Sequence, residues 1–460
     1  MCKYPPHFWN VLILLATCAS LNACVMSSQP TVALPQMDYS EDFKFVEVPD
    51  PLADVNPKQS PVTLENAALG EVFEDPHYLT KLTVVTPASS SRNEYSRFDP
   101  FNFDHSMIIL HDVSLAQFSV YGTSVLPYTH RKNHVCDLGN LSEPRWDPND
   151  KNVIWGVQDF RIYTLDIRGC KRTLVKDFSR DKRIGKIIRT ERDLYRLTNK
   201  DEGESSLDKD IWVFFLQGTD QDYRARYIFS WSRKNDEVIG VYKTSQSEAG
   251  LDWVGVSPYG NHVLIGAADY NTGNLSGLIV SDPDLNPKSF RRLHKNTGHS
   301  DVGLDSDGNE VIVMQTSSDY VEAFPLSKGD GDAPLSTPVA RLYYNWNDRE
   351  NSLHESTGVH LSCNVPGYCV LSSESGPNAE DRNWLEQSNI LIKLDLSKPR
   401  AFYLSKSYTV RKSYWESTLS AISNDGSKIV WGSNWYDTVG DEKFFMMQLD
   451  MPKNWRELTD

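Results

Sequence analysis

The sequence predicts an all-β fold, a seven-bladed β-propeller in which each blade is a four-stranded antiparallel sheet. Three observations predict this class. A turn followed by an apolar, β-rich run recurs at intervals of about 46 to 60 residues along the 460-residue chain, a period typical of propeller blades. Each of these hairpins is followed by a second pair of strand-like segments. The one helical pattern that stands out is short and falls within residues 181–197.

The seven hairpins define the blades in chain order. Each joins the two inner strands of a blade, A and B, through a turn containing residues such as Asp, Asn, Pro or Gly. The turns fall near residues 104, 150, 208, 260, 308, 366 and 426. The seventh unit has only three strands of its own, so we expect residues 78–86, "YLTKLTVVT", to supply the fourth. That strand would close the ring and remove its open edges.

The N-terminal residues predict export from the cytoplasm. Residues 1–23 have the pattern of a signal peptide, in which Lys3 precedes an apolar run, "VLILLATCASL", too short to span a bilayer. The segment ends in "LNAC", which resembles a bacterial lipobox. Cys24 is therefore a candidate lipid anchor at the outer membrane or cell surface, and ordinary signal-peptidase cleavage with secretion is the alternative. Residues 24–75 are rich in Pro, Asp and Ser and predict a tether, and residues 76–460 form the predicted catalytic propeller.

Charge and cysteine content limit the partners and the compartment. A formal net charge of −15 disfavours nucleic acid and anionic membrane surfaces as partners. We therefore expect a monomer that contacts a membrane only through the N-terminal lipid. The four cysteines beyond the export segment are Cys136, Cys170, Cys363 and Cys369. They can form disulfides outside the cytoplasm, but the sequence does not give their connectivity.

The order of strands in a propeller sorts loop residues onto two faces. The A–B turns share one face, and the B–C loops share the other with the links from strand D to the next blade. This second face normally holds the functional groove. His111 ends strand B of blade 1, and "THRKNH" (129–134) is interpreted as the end of strand D of that blade, so we expect both on the groove face. The other candidates placed there are Arg192, Arg224, Tyr242, Tyr270, His299 and His360. His105 lies in an A–B turn and is expected to be inert.

Imidazoles, tyrosines and an arginine on one concave face predict proton abstraction next to a carboxylate. Arginine neutralises the carboxylate so that the carbanion-like state becomes accessible. A neutral His or an ionised Tyr takes the proton, and a second such group protonates the leaving oxygen. This is the chemistry of a polysaccharide lyase acting on uronic acids, so the expected partner is an anionic, uronate-containing polysaccharide. A hydrolytic pair of carboxylates is harder to select, and GxSxG, HExxH and P-loop motifs are absent from the sequence.

Several blade motifs resemble a known family of lyases. Between about residues 80 and 450, "RFDPFN", "SEPRWDP", "DWVGVSP", "GHSDVGLDSDGNEV" and "SNDGSKIVWGSNW" resemble the seven-bladed ulvan lyases of marine bacteria and, more distantly, oligogalacturonate lyases. The resemblance implies β-elimination at the bond between a sulfated rhamnose and a uronic acid, giving unsaturated uronyl oligosaccharides. "ESTLS" stands where relatives often carry a His, which argues against the metal-dependent oligogalacturonate chemistry.

The resemblance also implies roles for individual residues. His111 and His130 would act as acid and base, and Arg224 would neutralise the carboxylate. Tyr270 would be a second proton carrier or would orient the substrate. The expected substrate-binding residues are Arg131, His134, Arg192 and Tyr242.

A structural zinc ion is a further implication of the resemblance. Its ligands would be His299, His360, Cys363 and Cys369, because two thiolates and two imidazoles suit tetrahedral zinc. Calcium is an alternative ion. A Cys363–Cys369 disulfide is the alternative arrangement of the sulfurs, natural after export, and free thiols are the third.

Two other classes of function fit the same fold. Many exported propellers are surface platforms that bind glycans or partner proteins without chemistry. A hydrolase on the same scaffold is the other alternative. The lyase and the hydrolase differ in product, because only the lyase creates an unsaturated uronate that absorbs ultraviolet light.

Overall fold

The computed structural model describes residues 31–52, 68–219, 223–316, 320–327, 336–342, 359–373, 385, 387–413 and 416–460. The predicted signal peptide and Cys24 lie outside these residues. The described chain forms seven antiparallel sheets arranged as the blades of a propeller, which confirms the predicted fold class. No helix in the described part of the chain is both long and apolar enough to cross a membrane.

The strands of blades 1 to 3 follow N-terminal strands that join other sheets. The N-terminal strands are β1 (Val32–Ala33), β2 (Val46–Glu47), β3 (Val72–Glu74) and β4 (Lys81–Val84). Blade 1 contains β5 (Ser91–Arg92), β6 (Met107–Asp112) and β7 (Gln117–Gly122), then β8 (Val125–Leu126), which pairs with β1 outside the blade, and β9 (His134–Asp137). Blade 2 is β10 (Ser142–Trp146), β11 (Val153–Gln158), β12 (Arg161–Asp166) and β13 (Lys171–Asp177). Blade 3 is β14 (Leu194–Thr198), β15 (Ile211–Gly218), β16 (Ala225–Ser232) and β17 (Glu237–Lys243).

Blades 4 to 7 complete the ring. Blade 4 is β18 (Leu251–Val256), β19 (Val263–Ala267), β20 (Gly277–Ser281) and β21 (Arg291–His294). Blade 5 is β22 (Ser300–Leu304), β23 (Glu310–Gln315), β24 (Tyr320–Pro325) and β25 (Thr337–Arg341). Blade 6 is β26 (Val359–Val365), β27 (Tyr368–Ser373), β28 (Ser388–Lys393) and β29 (Arg400–Lys406), and blade 7 contains β30 (Ala421–Ile422), β31 (Lys428–Ser433) and β32 (Phe445–Asp450).

Helical segments lie between strands. The α-helix α1 (Ile184–Thr190) links blades 2 and 3, where the sequence predicted a short helix. Short 3₁₀ helices cover Arg131–Asn133, Phe178–Arg180, Gln246–Glu248, Pro287–Ser289 and Glu457–Thr459.

The N-terminal strands close the ring as the sequence predicts. Strand β4 pairs with β32 of blade 7, with Leu82 opposite Leu449, and β3 adds a fifth strand outside it. Strand β2 pairs with β29 and becomes a fifth strand of blade 6. The predicted tether, 24–75, is thus in contact with the blades where the structure describes it, because Phe45 and Val48 are buried in the core there.

The A–B turns of blades 4 to 7 have the geometry that their sequences indicate. Gly260, Gly308, Gly367 and Gly426 have φ angles of +80°, +82°, +82° and +78°. These angles fall in the left-handed region, where a residue with a side chain is strained. A glycine at each turn therefore sets the register of the hairpin. Large aromatic side chains such as Trp231, Trp253 and Trp431 are fully buried in the blades.

Strand A of blade 1 is interrupted by an excursion into the central channel. Arg92 pairs with His111, and Phe101 forms the next bridge, with Ile108. Residues 93–100 therefore lie opposite only residues 109 and 110, and the extra residues project from the sheet as an unusually long bulge. We call residues 93–99 the channel bulge.

Candidate functional site

The channel bulge contacts the inner part of each of the six other blades. Arg97 donates from Nη1 to the carbonyl of Glu202 in blade 3 (2.7 Å) and from Nη2 to Ser300 Oγ in blade 5 (3.2 Å). Its guanidinium also lies 4.5 Å from the centre of the Trp253 ring in blade 4. At the ends of the bulge, Asn93 bonds to a carbonyl of blade 7 and Glu94 bonds to Arg145 of blade 2. The bulge therefore crosses the channel and divides the groove face from the A–B face.

His111 lies on the groove face at the end of β6. Its ring stacks on Phe118, with 4.5 Å between the ring centres, and Arg92 is its direct partner on β5. Burial lowers the pKa of the His111 imidazole, and the positive charge of Arg92 lowers it further. The imidazole is therefore neutral near pH 7, the state that a general base needs.

His299 and His360 begin the inner strands of blades 5 and 6 on the same face, as predicted. Their rings stack with 4.2 Å between centres, and Tyr95 of the channel bulge meets His360 edge-on at 5.5 Å. His299 Nδ1 lies 2.7 Å from the carbonyl oxygen of Val359. Because a carbonyl only accepts, Nδ1 donates and carries the proton of this ring.

Three carboxyl groups, Glu94 of the channel bulge, Glu143 and Asp201, interact electrostatically with one another. Glu94 is bound to Arg145 at 2.7 Å, yet burial raises the pKa of its carboxyl to about 8, with Arg145 offsetting part of that rise. Glu143 accepts hydrogen bonds from the backbone N–H of Asn199 (3.0 Å) and from the Thr198 hydroxyl. Burial raises the pKa of the Glu143 carboxyl, and the negative charge of the exposed Asp201 adds to the rise. Asp201 also favours the protonated form of His111.

Four other predicted residues lie on the groove face, away from the channel. Arg224 is buried and donates from Nη1 to the carbonyl of Ser245 (3.3 Å). Tyr270 is exposed and Arg192 is on the surface. The Tyr242 hydroxyl donates to Glu248 (2.8 Å), and burial raises its pKa to about 12. In the described part of the chain, no hydrogen bond or ring contact joins any of these four to His111.

The structure corrects the face predicted for His130, Arg131 and His134. Strand D of blade 1 is β9, which begins at His134, so residues 130–133 form the C–D connection instead of following strand D. C–D connections lie on the A–B face, opposite His111. His130 is buried and caps the short helix Arg131–Asn133 by accepting the Lys132 N–H (3.0 Å). His134 Nε2 is 2.8 Å from the Asp137 carboxylate. His111 and His130 therefore cannot serve one substrate as an acid–base pair. His105 lies on the A–B face, as expected, 3.4 Å from Asp425.

The predicted zinc ligands adopt a different arrangement. Cys363 and Cys369 are joined in a disulfide across the A–B hairpin of blade 6, the alternative that the sequence left open. Their sulfurs are bonded to each other and are not thiolate ligands in this state. Cys136 and Cys170 form a second disulfide. Within the described ranges, the group of side chains that meets the spacing for an ion is Glu416, Asp437 and Asp441, three carboxylates outside the predicted set.

Sequence reasoning missed Arg92 and the channel bulge. The first hairpin was recognised from its turn near residue 104 and from "RFDPFN" (97–102), so the preceding "SRNEY" (91–95) was not included in strand A. A signal was present, because this stretch places charged and aromatic residues directly before a regular A–B hairpin. Its partners lie in the six other blades, and no local period indicates such contacts.

The fold and site thus define a seven-bladed propeller whose groove face carries three imidazoles, His111, His299 and His360, beside a divided channel. Its fold is similar to that of an oligogalacturonate lyase from Vibrio parahaemolyticus, with a TM-score of 0.52 and 10% identity over 84% of this chain and 97% of that one. Weaker similarities include the Pan2 WD40 domain of Neurospora crassa (TM-score 0.39, 10% identity, 80% of this chain and 90% of that one). TolB from Acinetobacter baumannii is another (TM-score 0.33, 12% identity, 68% and 63%). No protein-family model and no curated protein sequence matches the chain. At these identities the similarity shows the fold alone, and the comparisons do not support the resemblance to ulvan lyases in particular.

Proposed function

We propose that this protein is an exported polysaccharide lyase that cleaves a uronate-containing polysaccharide by β-elimination on its groove face. The observation that carries the proposal is the pairing of His111 with Arg92 across β5 and β6. Directly opposite residues on antiparallel strands place their side chains close together on one face. A half-buried imidazole that stays neutral beside a fixed positive charge suits the removal of a proton α to a carboxylate.

His111 is the base in this proposal. It takes the proton from the carbon next to the uronate carboxyl group, and the electron pair forms the new carbon–carbon double bond. The bond from the β carbon to the glycosidic oxygen breaks, and that oxygen leaves with a proton. Arg224 as carboxylate neutraliser and Tyr270 as proton donor remain predictions from sequence, supported by their position on the same face.

Ulvan is the substrate that the sequence resemblance implies, and oligogalacturonate is the one named by the similar structure. Both contain uronic acids, and both products absorb ultraviolet light after elimination. The test is therefore an absorbance assay of the purified protein on each polymer, with reducing ends measured in parallel. A rise in absorbance together with new reducing ends is the expected result. New reducing ends without absorbance would identify a hydrolase, and no product from a folded protein would identify a binding propeller.

A matched pair of variants tests the site. His111→Gln removes the base and should lower turnover by about 10²- to 10⁴-fold. His134→Gln changes a partly exposed imidazole of the same blade on the opposite face and should leave turnover unchanged. Thermal unfolding of both variants checks that each remains folded. Equal activities of His111→Gln and wild type would refute the assignment of the base.

Arg224 provides a separate check on the predicted neutraliser. Arg224→Ala should lower turnover by about 10²- to 10³-fold if the guanidinium faces the developing negative charge. Arg224→Lys should restore little, because lysine lacks the planar fork that binds a carboxylate through two N–H groups. Unchanged activity in both variants would remove Arg224 from the site and leave His111 in place.

A further inference from the structure

Blade 3 carries a group of aromatic and basic side chains on the groove face that the proposed mechanism does not use. Tyr195 and Arg196 lie at the start of strand A, β14, where the chain enters the blade from the groove face. Tyr223 lies in the B–C loop of the same blade and is 56% exposed. The rings of Tyr195 and Tyr223 meet edge-on, with 5.8 Å between their centres. We call Tyr195, Arg196 and Tyr223 the blade-3 platform.

A β-bulge directs Tyr195 and Arg196 toward the same partner. Arg196 pairs with Gln217 on β15, and Tyr195 is an extra residue with no partner on that strand. Such a bulge redirects consecutive side chains that a regular strand would place on opposite faces. The Tyr195 hydroxyl (2.8 Å) and Arg196 Nε (2.6 Å) both donate to Gln217 Oε1.

Gln217 holds all three members of the platform. Its side chain is buried, and its Nε2 donates to the carbonyl of Tyr223 (2.6 Å). Tyr223 has a φ angle of +61°, a left-handed conformation that persists where the surroundings enforce it. Because one buried amide fixes the platform before a ligand arrives, less conformational entropy is lost on binding.

The end of the Arg196 guanidinium is accessible to a ligand. Arg196 is half-buried, and its Cζ lies 5.4 Å from the centre of the Tyr195 ring. In the described part of the chain, Nη1 and Nη2 make no hydrogen bond or ion pair, yet neither atom is buried. Two such N–H groups match two oxygens of a carboxylate or of a sulfate.

The described carboxylates that precede β14 do not occupy this position. Glu191 and Asp193 form ion pairs with Arg226 at 3.1 and 3.2 Å. Among the described residues, no carboxylate is ion-paired with Arg196 or with Arg224 of the adjacent loop. An anionic ligand therefore reaches Arg196 without displacing an ion pair.

Strand β14 leads from the platform toward the proposed base. Two residues beyond Arg196, Thr198 donates to Glu143. Asp201, three residues further along the chain, interacts electrostatically with His111. The platform and His111 are thus on one face and are connected by a short length of chain.

We propose that the blade-3 platform is a substrate-binding subsite for an acidic pyranose residue. The Nη1 and Nη2 groups of Arg196 bind its carboxylate or sulfate oxygens, and the exposed ring of Tyr223 packs against its C–H face. A tyrosine suits this role because it has an apolar ring and a polar tip. The choice of a sugar rests on the proposed function, but binding at the platform does not require elimination.

Calorimetric titration with tetragalacturonate measures the subsite directly. The parent protein is His111→Gln, in which slow turnover preserves the ligand. Adding Arg196→Gln should weaken binding by about tenfold or more, because hydrogen bonds to a charged group are lost. Arg196→Lys should restore little, since an ammonium group lacks the planar fork. Arg233→Gln is the matched control and should leave binding unchanged. Arg233 is also half-buried, with Nε on the carbonyl of Lys209 (2.7 Å), but it lies in the C–D turn of blade 3 on the opposite face.

Tyr223→Ala and Tyr259→Ala form a second matched pair. Both tyrosines are 56% exposed, but Tyr259 lies in the A–B turn of blade 4 on the opposite face. Tyr223→Ala should weaken binding by about tenfold, because it removes apolar area that covers the sugar, and Tyr259→Ala should not. Equal affinities of Arg196→Gln and Tyr223→Ala with their controls would refute the subsite.

Two further ligands identify the anion. Fully methyl-esterified tetragalacturonate lacks carboxylate charge, and a carrageenan tetrasaccharide carries sulfate without carboxylate. If Arg196 binds a carboxylate, Arg196→Gln should reduce the loss of affinity on esterification by about tenfold. If it binds a sulfate, Arg196→Gln should weaken carrageenan binding by a similar factor. Failure of both effects would overturn the contact between Arg196 and an anion.

Steady-state kinetics separates the subsite from the proposed function. In an active lyase, Arg196→Gln should raise KM by about tenfold and change kcat by less than about twofold, the pattern expected when uniform binding is lost. Elimination with an unchanged KM in Arg196→Gln would refute the subsite and leave the lyase in place. Arg196-dependent binding without elimination by the wild-type protein would support the subsite and refute the lyase.

Discussion

Replacing Leu82 with alanine tests the N-terminal strand that closes the ring. Leu82 is fully buried, pairs with Leu449 of blade 7, and packs in a cluster with Ile429 and Trp431. Truncating a fully buried leucine costs about 3 kcal/mol, from lost burial and from the cavity that remains. For a unit the size of Thr31–Asp460, an unfolding entropy of about 2.1 cal/mol/K per residue gives roughly 0.9 kcal/mol/K. The melting temperature should therefore fall by about 3 °C.

Differential scanning calorimetry at matched scan rates measures this shift, and urea unfolding provides an independent value. Leu79→Ala is the control, because Leu79 precedes the same strand but is 50% exposed. A surface change of this kind alters stability by at most about 0.5 kcal/mol. Equal shifts in melting temperature for Leu82→Ala and Leu79→Ala would show that the pairing of β4 with blade 7 does not stabilise the ring in solution.

Three further predictions follow from the fold and the channel. Removing residues 1–90 should abolish cooperative unfolding in calorimetry, because β32 then loses its partner strand. Intact-mass measurement before and after reduction should reveal two disulfides, and elemental analysis should find little bound zinc. If the protein instead holds one equivalent of zinc that is lost in Cys363→Ser, the zinc site predicted from the sequence is supported. Stability should fall as pH rises toward about 8, since Glu94, with its pKa raised to about 8, keeps a proton in the folded state that the unfolded chain releases near its ordinary pKa. Glu94→Gln should flatten that part of the melting-temperature profile.

The parts of the fold that were predictable depend on local chemistry. Gly308 and Gly426 each follow an Asp in a hairpin turn, and their positive φ angles are required by the turn itself. Such signals lie within a few residues, so the sequence shows them directly. Closure by β4 was predictable for a different reason, because a seventh blade with three strands needs one more. The extra strands β2 and β3 carry no such requirement and were absent from the prediction.

The position of His130 shows why the candidate site was harder to predict. Successive loops of a blade alternate between the two faces, so an error of one loop moves a residue to the opposite face. "THRKNH" was assigned to the end of strand D, whereas β9 begins at His134. His111 was placed correctly because the B strand of blade 1 is a continuous apolar run that ends clearly. The disulfide of Cys363 and Cys369 was a named alternative, which the sequence could not decide because the same spacing suits a metal.

The channel bulge takes its hydrogen bonds from blades other than its own. A run of polar and aromatic residues inserted into an inner strand gains no hydrogen bonds from its own sheet, so its donors must find partners elsewhere. Arg97 finds them in blades 3 and 5, and Glu94 finds Arg145 in blade 2. Phe98 of the bulge adds a cation–π contact to the same Arg145 guanidinium. The contacts of the channel bulge therefore join the inner strands of blades 2, 3 and 5 to blade 1 at the floor of the groove face.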